Sequence, residues 1–110
     1  GIAVSSGNSF VHETESQVIL NGSYNINFTM DLVLKDTGLF DELAKKLNAP
    51  LEISPKVVEI FKDGQKKYGS RAWSSMIVKR MEDLNNIDFR AEGFPEELVD
   101  NEIEENGHEI

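Results

Sequence analysis

The sequence predicts an all-α protein, built as a helical bundle of about four helices. Apolar residues recur at helical spacing in several segments, and residues typical of helix ends bound those segments. No stretch carries a convincing strand pattern. With 110 residues, of which 39% are apolar, the chain has the length of one domain and enough apolar side chains for a modest core.

The first predicted helix covers residues 10–20 and follows a loop of small polar residues at positions 5–9. Its apolar residues bracket a polar middle about two turns long and are Phe10, Val11, Val18 and Ile19. Ser9 precedes the helix as an acceptable N-cap. His12 has no partner at metal-ligand spacing, so we interpret it as a structural or solvated side chain. Residues 21–27 follow as a turn-rich loop.

The central predicted helix, residues 28–47, is the longest segment with helical periodicity. Its apolar stripe consists of Phe28, Leu32, Leu39, Leu43 and Leu47, widened by Phe40 and Ala44. Gly38 lies inside this helix and allows two interpretations. Either Gly38 ends one helix and a second begins near Asp41, or the helix is continuous and Gly38 lets another helix approach closely. We favour the continuous helix because the stripe keeps its phase across the glycine.

Two charged residues, Lys35 and Asp36, interrupt this stripe at its centre. An ion in an apolar stripe requires a reason, because burying a charge without a partner costs free energy. One explanation is that both side chains lie at the edge of the stripe and reach water. The other is that this face of the helix borders a ligand-binding cleft, with the pair at its mouth.

The remaining two predicted helices are residues 55–68 and residues 72–84. The first has Ser54 as its N-cap, Pro55 at its first position and Gly69 as its C-terminal stop. The second carries a stripe whose aromatic and methionine side chains we expect in the core; the stripe consists of Trp73, Met76, Ile77, Arg80, Met81 and Leu84.

The net charge of −9 is concentrated at the end of the chain. Residues 1–91 hold 12 acids and 11 bases, whereas residues 92–110 hold eight acids and no lysine or arginine. We therefore divide the chain into a helical domain, residues 1–87, and an acidic tail, residues 88–110, that is partly disordered or packed as an arm. Two interpretations of the tail stay open: a solvated terminus, or an arm that packs on a neighbouring domain or subunit through its two phenylalanines.

The composition excludes several classes of protein. Without cysteine there is no disulfide, no thiolate metal site and no cysteine nucleophile. Neither part of the chain offers a basic face for nucleic acid or for an anionic membrane surface. No apolar run is long enough for a membrane span, nothing at the start resembles a signal peptide, and we expect a cytoplasmic protein. Phosphate-loop, GxSxG and HExxH motifs are absent, and His12 and His108 lie far apart, so catalysis by this chain alone has little support.

In the segment LVLKDTGLFDELAKKLNAPLEISPKVVEIFKDGQKKYG, with Phe28 ahead of it, the sequence resembles the 3-hydroxyisobutyrate dehydrogenase, or β-hydroxyacid dehydrogenase, family. The resemblance is to the C-terminal helical domain of that family and covers about residues 5–84, beginning with the loop SSGNSF. The element KDxGL, at residues 35–39, is its most specific part. The other motifs gain weight from their order along the chain.

The resemblance implies a domain for substrate binding and dimerisation whose N-terminal Rossmann domain is absent from this chain. It implies that Lys35 reaches the dinucleotide, and that Phe28 and Asp36 border the active-site cleft between the two domains. The proton-transferring lysine of the family lies upstream of this chain. The resemblance therefore places no catalytic residue here, and it implies that the isolated chain is inactive and binds no metal.

The parent protein is thus expected to be an NAD(P)-dependent dehydrogenase or reductase of a small 3-hydroxyacid, of the 3-hydroxyisobutyrate or 2-hydroxy-3-oxopropionate type. Its expected cofactor is NAD or NADP, with none bound to this fragment. Its expected partners are its own Rossmann domain and further copies in a homodimer or higher homo-oligomer. The initial Gly1 agrees with a C-terminal portion of such an enzyme.

Two departures from the family pattern bear on these expectations. An acid often stands two residues before the serine that opens the last helix, but here Ala72 precedes Ser74, so the cap at that position is in question. The long acidic tail is also outside the common pattern. The alternative to a dehydrogenase domain is a helical interaction or dimerisation module without catalysis, in which Lys35 and Asp36 form a structural pair.

Overall fold

A computed structural model describes residues 1–95, and the part of the predicted tail that follows lies outside the described residues. Four α-helices form the domain: α1 (Phe10–Asn21), α2 (Met30–Lys46), α3 (Ser54–Tyr68) and α4 (Lys79–Asn85). Short 3₁₀ helices cover Ile2–Val4 and Ser74–Val78. Within residues 1–95 there is no strand, and an isolated antiparallel bridge joins Thr29 to Trp73. The all-α prediction is therefore confirmed.

Helix α1 begins and ends as its sequence predicts. The Ser9 hydroxyl accepts a hydrogen bond from the His12 backbone N–H at 3.0 Å, which satisfies one of the donors left unpaired at a helix start. Gly22 ends the helix in the left-handed conformation with a φ of 84°, a conformation that costs glycine little.

Helix α2 runs unbroken through Gly38, so the prediction of a continuous helix is confirmed. The reason we gave for the glycine is wrong, because a Cβ built on Gly38 meets no atom within 4 Å. The close approach occurs on α3 instead. A Cβ on Gly64 would lie 2.7 Å from Ile77 Cδ1 and 3.1 Å from Met30 Sδ. Gly64 thus allows α3 to pack directly against the start of α2 and the 3₁₀ helix.

Helix α3 has the predicted proline in its first turn and ends at Gly69, whose φ is 101°. The predicted N-cap is wrong, because the helix already includes Ser54 and Ile53 occupies the cap position. The Ser54 hydroxyl donates instead to Asp41 Oδ1 at 2.8 Å. This side chain ties the start of α3 to the middle of α2 rather than capping its own helix.

The last predicted helix, residues 72–84, is only partly correct. The segment Ser74–Val78 is a 3₁₀ helix, and the α-helical part is α4, which ends at Asn86 with a φ of 53°. The buried Ser75 hydroxyl donates to the Tyr24 carbonyl at 2.5 Å, and the Ser74 N–H donates to the Phe28 carbonyl at 2.7 Å. These tertiary hydrogen bonds fix the segment in a tighter turn, as is common where a short helix meets other elements.

The core is small and centres on the 3₁₀ helix Ser74–Val78, which contacts α1, α3 and α4, while α2 packs along α3. Its fully buried side chains are Val18, Met30, Ser75 and Glu82. The prediction that the last stripe lies in the core holds only for its first half. Trp73 is partly buried, but Met81 is 43% exposed and Leu84 is 68% exposed, because α4 has no neighbour on that side among the described residues.

A carboxylate buried in this core, Glu82, joins three parts of the chain. The Tyr24 hydroxyl donates to Glu82 Oε1 at 2.6 Å, and Arg90 Nη1 donates to the same oxygen at 3.3 Å. Arg90 Nη2 also donates to the Tyr24 hydroxyl at 2.9 Å, so the three side chains form a closed network. Burial, followed by the hydrogen bond to Glu82, raises the pKa of Tyr24, which keeps its hydroxyl available as a donor.

The segment after α4 returns to helix α1. The Ala91 N–H donates to the Leu20 carbonyl at 3.1 Å, and the Asn21 side-chain amide donates to the Pro95 carbonyl. Of the two phenylalanines that we expected in the tail, one is partly buried and Phe94 is 37% exposed. The division of the chain at residue 87 stays a prediction, since most of the predicted tail lies outside the described residues.

Substitution of alanine for Gly38 and for Gly64 should change the stability of the domain in opposite directions. Gly38→Ala should raise the free energy of unfolding by about 1 kcal/mol, because alanine is the better helix former and its methyl group meets no neighbour. Gly64→Ala should lower it by about 1 kcal/mol, because displacing Ile77 and Met30 outweighs the same propensity gain. Urea unfolding of both variants, followed by circular dichroism, measures the difference. Equal stabilisation of the two variants would contradict the close packing at Gly64.

Because of the ion pair between Asp63 of α3 and Arg80 of α4, we expect the domain to lose stability in acid. Asp63 accepts from Arg80 at 2.6 Å and lies 3.2 Å from Lys67, and these cations lower its pKa below the ordinary value of 3.8. A carboxyl whose folded pKa is depressed stabilises the protein above its unfolded pKa, and that contribution disappears as the pH falls through the folded pKa. Urea unfolding from pH 5 down to about pH 2 should show this decline.

Asp63→Asn serves as the matched variant for that measurement. It should be less stable than the wild type at pH 5 and should lose less stability between pH 5 and the acid limit, because asparagine does not titrate. An unchanged slope of stability against pH in this variant would contradict the assignment to Asp63.

Candidate functional site

The candidate site residues predicted from the sequence, Phe28, Lys35 and Asp36, lie on the N-terminal half of α2 and just before it. Lys35 and Asp36 are both exposed, with 62% and 60% of their side-chain surfaces accessible, and Lys35 Nζ lies 3.6 Å from Asp36 Oδ1. Both side chains therefore reach water in this domain, as the first explanation requires. Whether the same face borders a cleft in a larger protein stays a prediction.

Phe28 lies two residues before the start of α2, and 36% of its surface is exposed. Its carbonyl accepts the Ser74 N–H at 2.7 Å. The N–H groups of Met30 and Asp31 donate to the carbonyls of Ala72 and Ser70, at 2.9 and 3.1 Å. We call this set of three backbone hydrogen bonds, between residues 28–31 and residues 70–74, the backbone clamp. It satisfies donors at the start of α2 that would otherwise lack a partner.

Asp31 adds a second fixed point in the first turn of α2. Its Oδ1 accepts the Thr29 hydroxyl and the Leu32 N–H, the latter at 3.0 Å. The hydrogen bond from Thr29, together with the weaker influences of the Leu32 N–H and of Arg71, lowers the pKa of Asp31. A carboxylate is favourable at this end of a helix because the peptide dipoles leave partial positive charge there. The other oxygen, Oδ2, lies 3.5 Å from Arg71 Nη1.

Helical geometry relates these residues to one another. Asp31 and Lys35 are four residues apart, so they lie on the same face of α2 one turn from each other. Phe28 precedes this turn, and Asp36 lies about 100° around the helix from Lys35. The structure therefore places Asp31 and Lys35 on one face of α2, with Asp36 beside Lys35 through their 3.6 Å contact, whereas Phe28 precedes the helix and its side chain has no described contact with them.

The sequence reasoning did not identify the residues that hold this face in place. Thr29 and Asp31 form a local pattern that could have been found, because a threonine and an acid around the first turn are typical of helix starts. The partners of the clamp on residues 70–74 give no such signal, since they act through backbone carbonyl and N–H groups. Arg71 is the other side chain of this face that the sequence reasoning missed.

An apolar groove lies farther along α2, about a turn beyond Lys35, where it meets the start of α3. It has a volume of about 650 Å³ and is lined mainly by Phe40, Pro50, Leu51, Ile53 and Val57. None of the nominated side chains lines it. Lys35 and Asp36 thus lie outside this groove, on an exposed part of α2, where an ammonium group is accessible to an anionic group.

Two further observations concern metal binding and membrane-spanning helices. Within residues 1–95 no three histidine, aspartate or glutamate side chains are grouped closely enough to hold a metal ion. In the same part of the chain, no helix has both the length and the apolar character that crossing a membrane requires.

Comparison with known proteins identifies a matching family and a curated relative. Residues 1–81 match the family model described as the NAD-binding domain of NADP-dependent 3-hydroxyisobutyrate dehydrogenase. The chain is also 32% identical, over 87 residues, to a 2-(hydroxymethyl)glutarate dehydrogenase from Eubacterium barkeri. That alignment covers 78% of this chain and 29% of the relative. No solved structure matches the chain.

The matched range, residues 1–81, includes both sides of the backbone clamp and both members of the Lys35–Asp36 pair. The resemblance predicted from the KDxGL element is therefore confirmed at the level of the family, whereas the position of the domain within a longer protein stays a prediction. Because the model covers most of the sequence, the chain belongs to the family of the NAD-binding domain of NADP-dependent 3-hydroxyisobutyrate dehydrogenase.

Proposed function

We propose that this chain is the C-terminal helical domain of an NAD(P)-dependent dehydrogenase or reductase that acts on a small 3-hydroxyacid. The observation that carries the proposal is the match of residues 1–81 to the NAD-binding domain of this family. The substrate is of the 3-hydroxyisobutyrate or 2-hydroxy-3-oxopropionate type. A relative named for 2-(hydroxymethyl)glutarate, of which this chain covers 29%, supports the same general chemistry.

The residues at the start of α2 fit a dinucleotide as a contact face. Lys35 presents an exposed ammonium group, and the exposed side of Phe28 offers a flat apolar surface. The nicotinamide of the bound cofactor supplies the hydride chemistry. The task of this chain is then to bind and orient the ligands at that face.

The rest of the active site belongs to a longer protein in this proposal. An N-terminal Rossmann domain would hold most of the dinucleotide, and the lysine that transfers the proton would lie between that domain and residue 1. The chain spans less than a third of the length of the relative that it matches, which supports a multi-domain parent. We also propose the cytoplasm as its compartment, in keeping with the absence of cysteine.

Homodimerisation is the second part of the proposal and also the main alternative function. Helix α2 and the loop after it expose several large apolar side chains that a monomer leaves in water: Leu39, Phe40, Leu43, Leu47 and Ile53. Surfaces of this kind mark interaction sites. In the dehydrogenase proposal they form the interface between subunits, whereas in the alternative this interface is the whole function and Lys35 has no ligand.

Replacement of Lys35 separates these two proposals. In the complete dehydrogenase, Lys35→Ala should raise the dissociation constant of the dinucleotide about 10-fold or more, because one charge-assisted contact is lost. The fold should stay intact, since the Lys35 side chain is mostly in water. Calorimetric titration with NAD⁺ and NADP⁺, together with steady-state kinetics, measures the effect.

Lys46→Ala is the matched control, because Lys46 is an exposed lysine on the same helix, three turns away. It should leave binding and turnover unchanged. Dinucleotide affinity that stays at the wild-type level in Lys35→Ala would rule out the assignment of Lys35 and favour the interaction module.

The isolated chain provides a separate prediction. Purified residues 1–110, mixed with NAD⁺ or NADP⁺ and 3-hydroxyisobutyrate, should give no absorbance change at 340 nm above the blank. The reason is that the proposed proton-transferring lysine and the Rossmann domain belong to the rest of the parent. Measurable cofactor reduction by this chain alone would show that a catalytic group lies within it.

A further inference from the structure

The two longest ion pairs among the described residues both lie on the N-terminal half of α2. Arg71 Nη1 is 3.5 Å from Asp31 Oδ2, and Lys35 Nζ is 3.6 Å from Asp36 Oδ1. Charge-assisted hydrogen bonds are normally about 2.7–2.9 Å long, so neither cation is engaged in a strong one. Arg80 shows the contrast, because it is largely buried and donates to Asp63 at 2.6 Å.

Arg71 is also the most accessible cation in these pairs, with 81% of its side chain exposed. Asp31 is its hydrogen-bonding partner among residues 1–95, through one of the five donors that a guanidinium carries. Its other donors have no hydrogen-bond partner among those residues, and most of the side chain is exposed. Arg71 makes no strong structural contact, and ordering such a long side chain costs rotamer entropy. Its guanidinium is therefore available to bind an anionic group.

The backbone clamp fixes where Arg71 lies relative to Lys35. Its neighbours in sequence, Ser70 and Ala72, both accept N–H groups from the start of α2, so the main chain at residue 71 is held on both sides. The guanidinium then approaches Asp31, which lies one helical turn before Lys35 on the same face. Two exposed cations are thus associated with one face of α2, Lys35 on the helix itself and Arg71 through its contact with Asp31.

We propose that Arg71 is a second anion-binding residue of this face and that, with Lys35, it holds a carboxylate or phosphate group of the enzyme's ligands. This inference rests on the proposed dehydrogenase function and adds a residue to it. The planar guanidinium binds carboxylate and phosphate oxygens in pairs, whereas the lysine acts as a point charge. Asp31 acts as the positioning residue that keeps the guanidinium on the α2 face.

The contacts of Asp31 and Asp36 allow Arg71 and Lys35 to exchange these carboxylates for an anionic ligand. Asp31 is held by Thr29 and by the Leu32 N–H, so it keeps those hydrogen bonds when Arg71 turns toward a ligand. Asp36 is exposed and touches Lys35 only loosely, so it can move aside into water. An incoming anion would therefore replace the two long contacts, from Arg71 to Asp31 and from Lys35 to Asp36, while the short hydrogen bonds of Asp31 stay in place.

Two sources supply such an anion, a phosphate of the dinucleotide and the carboxylate of the hydroxyacid. Arg71→Ala in the complete dehydrogenase distinguishes them, with calorimetric dissociation constants for NAD⁺, for NADP⁺ and for the hydroxyacid measured without turnover. If the phosphate is the source, the dissociation constant of the dinucleotide should rise about 10-fold and that of the acid should stay constant. If the carboxylate is the source, the acid alone should bind about 10-fold more weakly.

Two further variants make the measurement specific. Lys62→Ala removes an exposed cation from α3 and should change neither constant. Arg71→Lys keeps the charge but not the paired donors, so it should restore part of the affinity lost in Arg71→Ala. Unfolding in urea should be nearly the same for all of these variants, since none of the side chains is buried.

The Arg71 and Lys35 variants together distinguish a failure of the Arg71 assignment from a failure of the proposed dehydrogenase function. If Arg71→Ala leaves both constants unchanged while Lys35→Ala weakens dinucleotide binding, Arg71 is a surface residue and the dehydrogenase proposal stands. If neither variant changes any constant, the face has no ligand and both assignments are overturned.

Discussion

The backbone clamp between residues 28–31 and residues 70–74 is the constraint on which this domain depends. Three N–H groups and three carbonyls pair across it, at 2.7 to 3.1 Å. Unpaired groups at a helix start would each cost free energy if buried, so the clamp both stabilises α2 and fixes where it begins. Phe28 and Lys35 lie on either side of that starting point. The position of the proposed binding face therefore follows from main-chain hydrogen bonds rather than from its own side chains.

Packing beneath the clamp explains why the same segments stay together. Met30, in the first turn of α2, is fully buried and lies against Gly64 of α3, which Ile77 of the 3₁₀ helix also approaches. A larger residue at position 64 would separate the elements that the clamp joins. The buried Glu82 network ties α4 to Tyr24 in the loop before α2. A small apolar core is thus supplemented by polar groups that are each hydrogen-bonded, which avoids the cost of an unpaired buried charge.

The sequence predicted the features that depend on local chemistry. The course of α1 with its Ser9 cap, the continuity of α2 across Gly38 and the stop at Gly69 all follow from periodicity and from the conformational preferences of single residues. It could not predict contacts between distant segments. Ser54 looks like an N-cap but bonds to Asp41 on another helix, and Glu82 looks like a surface acid but is buried with Tyr24. The roles of Phe28, Lys35 and Asp36 came from a resemblance, because an exposed ion pair has no pattern that distinguishes a binding residue from a solvated one.

Ala72, which departs from the family pattern, links the backbone clamp to the proposed binding face around Lys35 and Arg71. Where the family often has an acid at this position, the chain has alanine, and its carbonyl still accepts the Met30 N–H. The clamp therefore does not need a side chain at position 72. Among residues 1–95, Arg71 contacts the Asp31 carboxylate at 3.5 Å and uses one of its donors there, which leaves the others for the ligand in the proposed binding role.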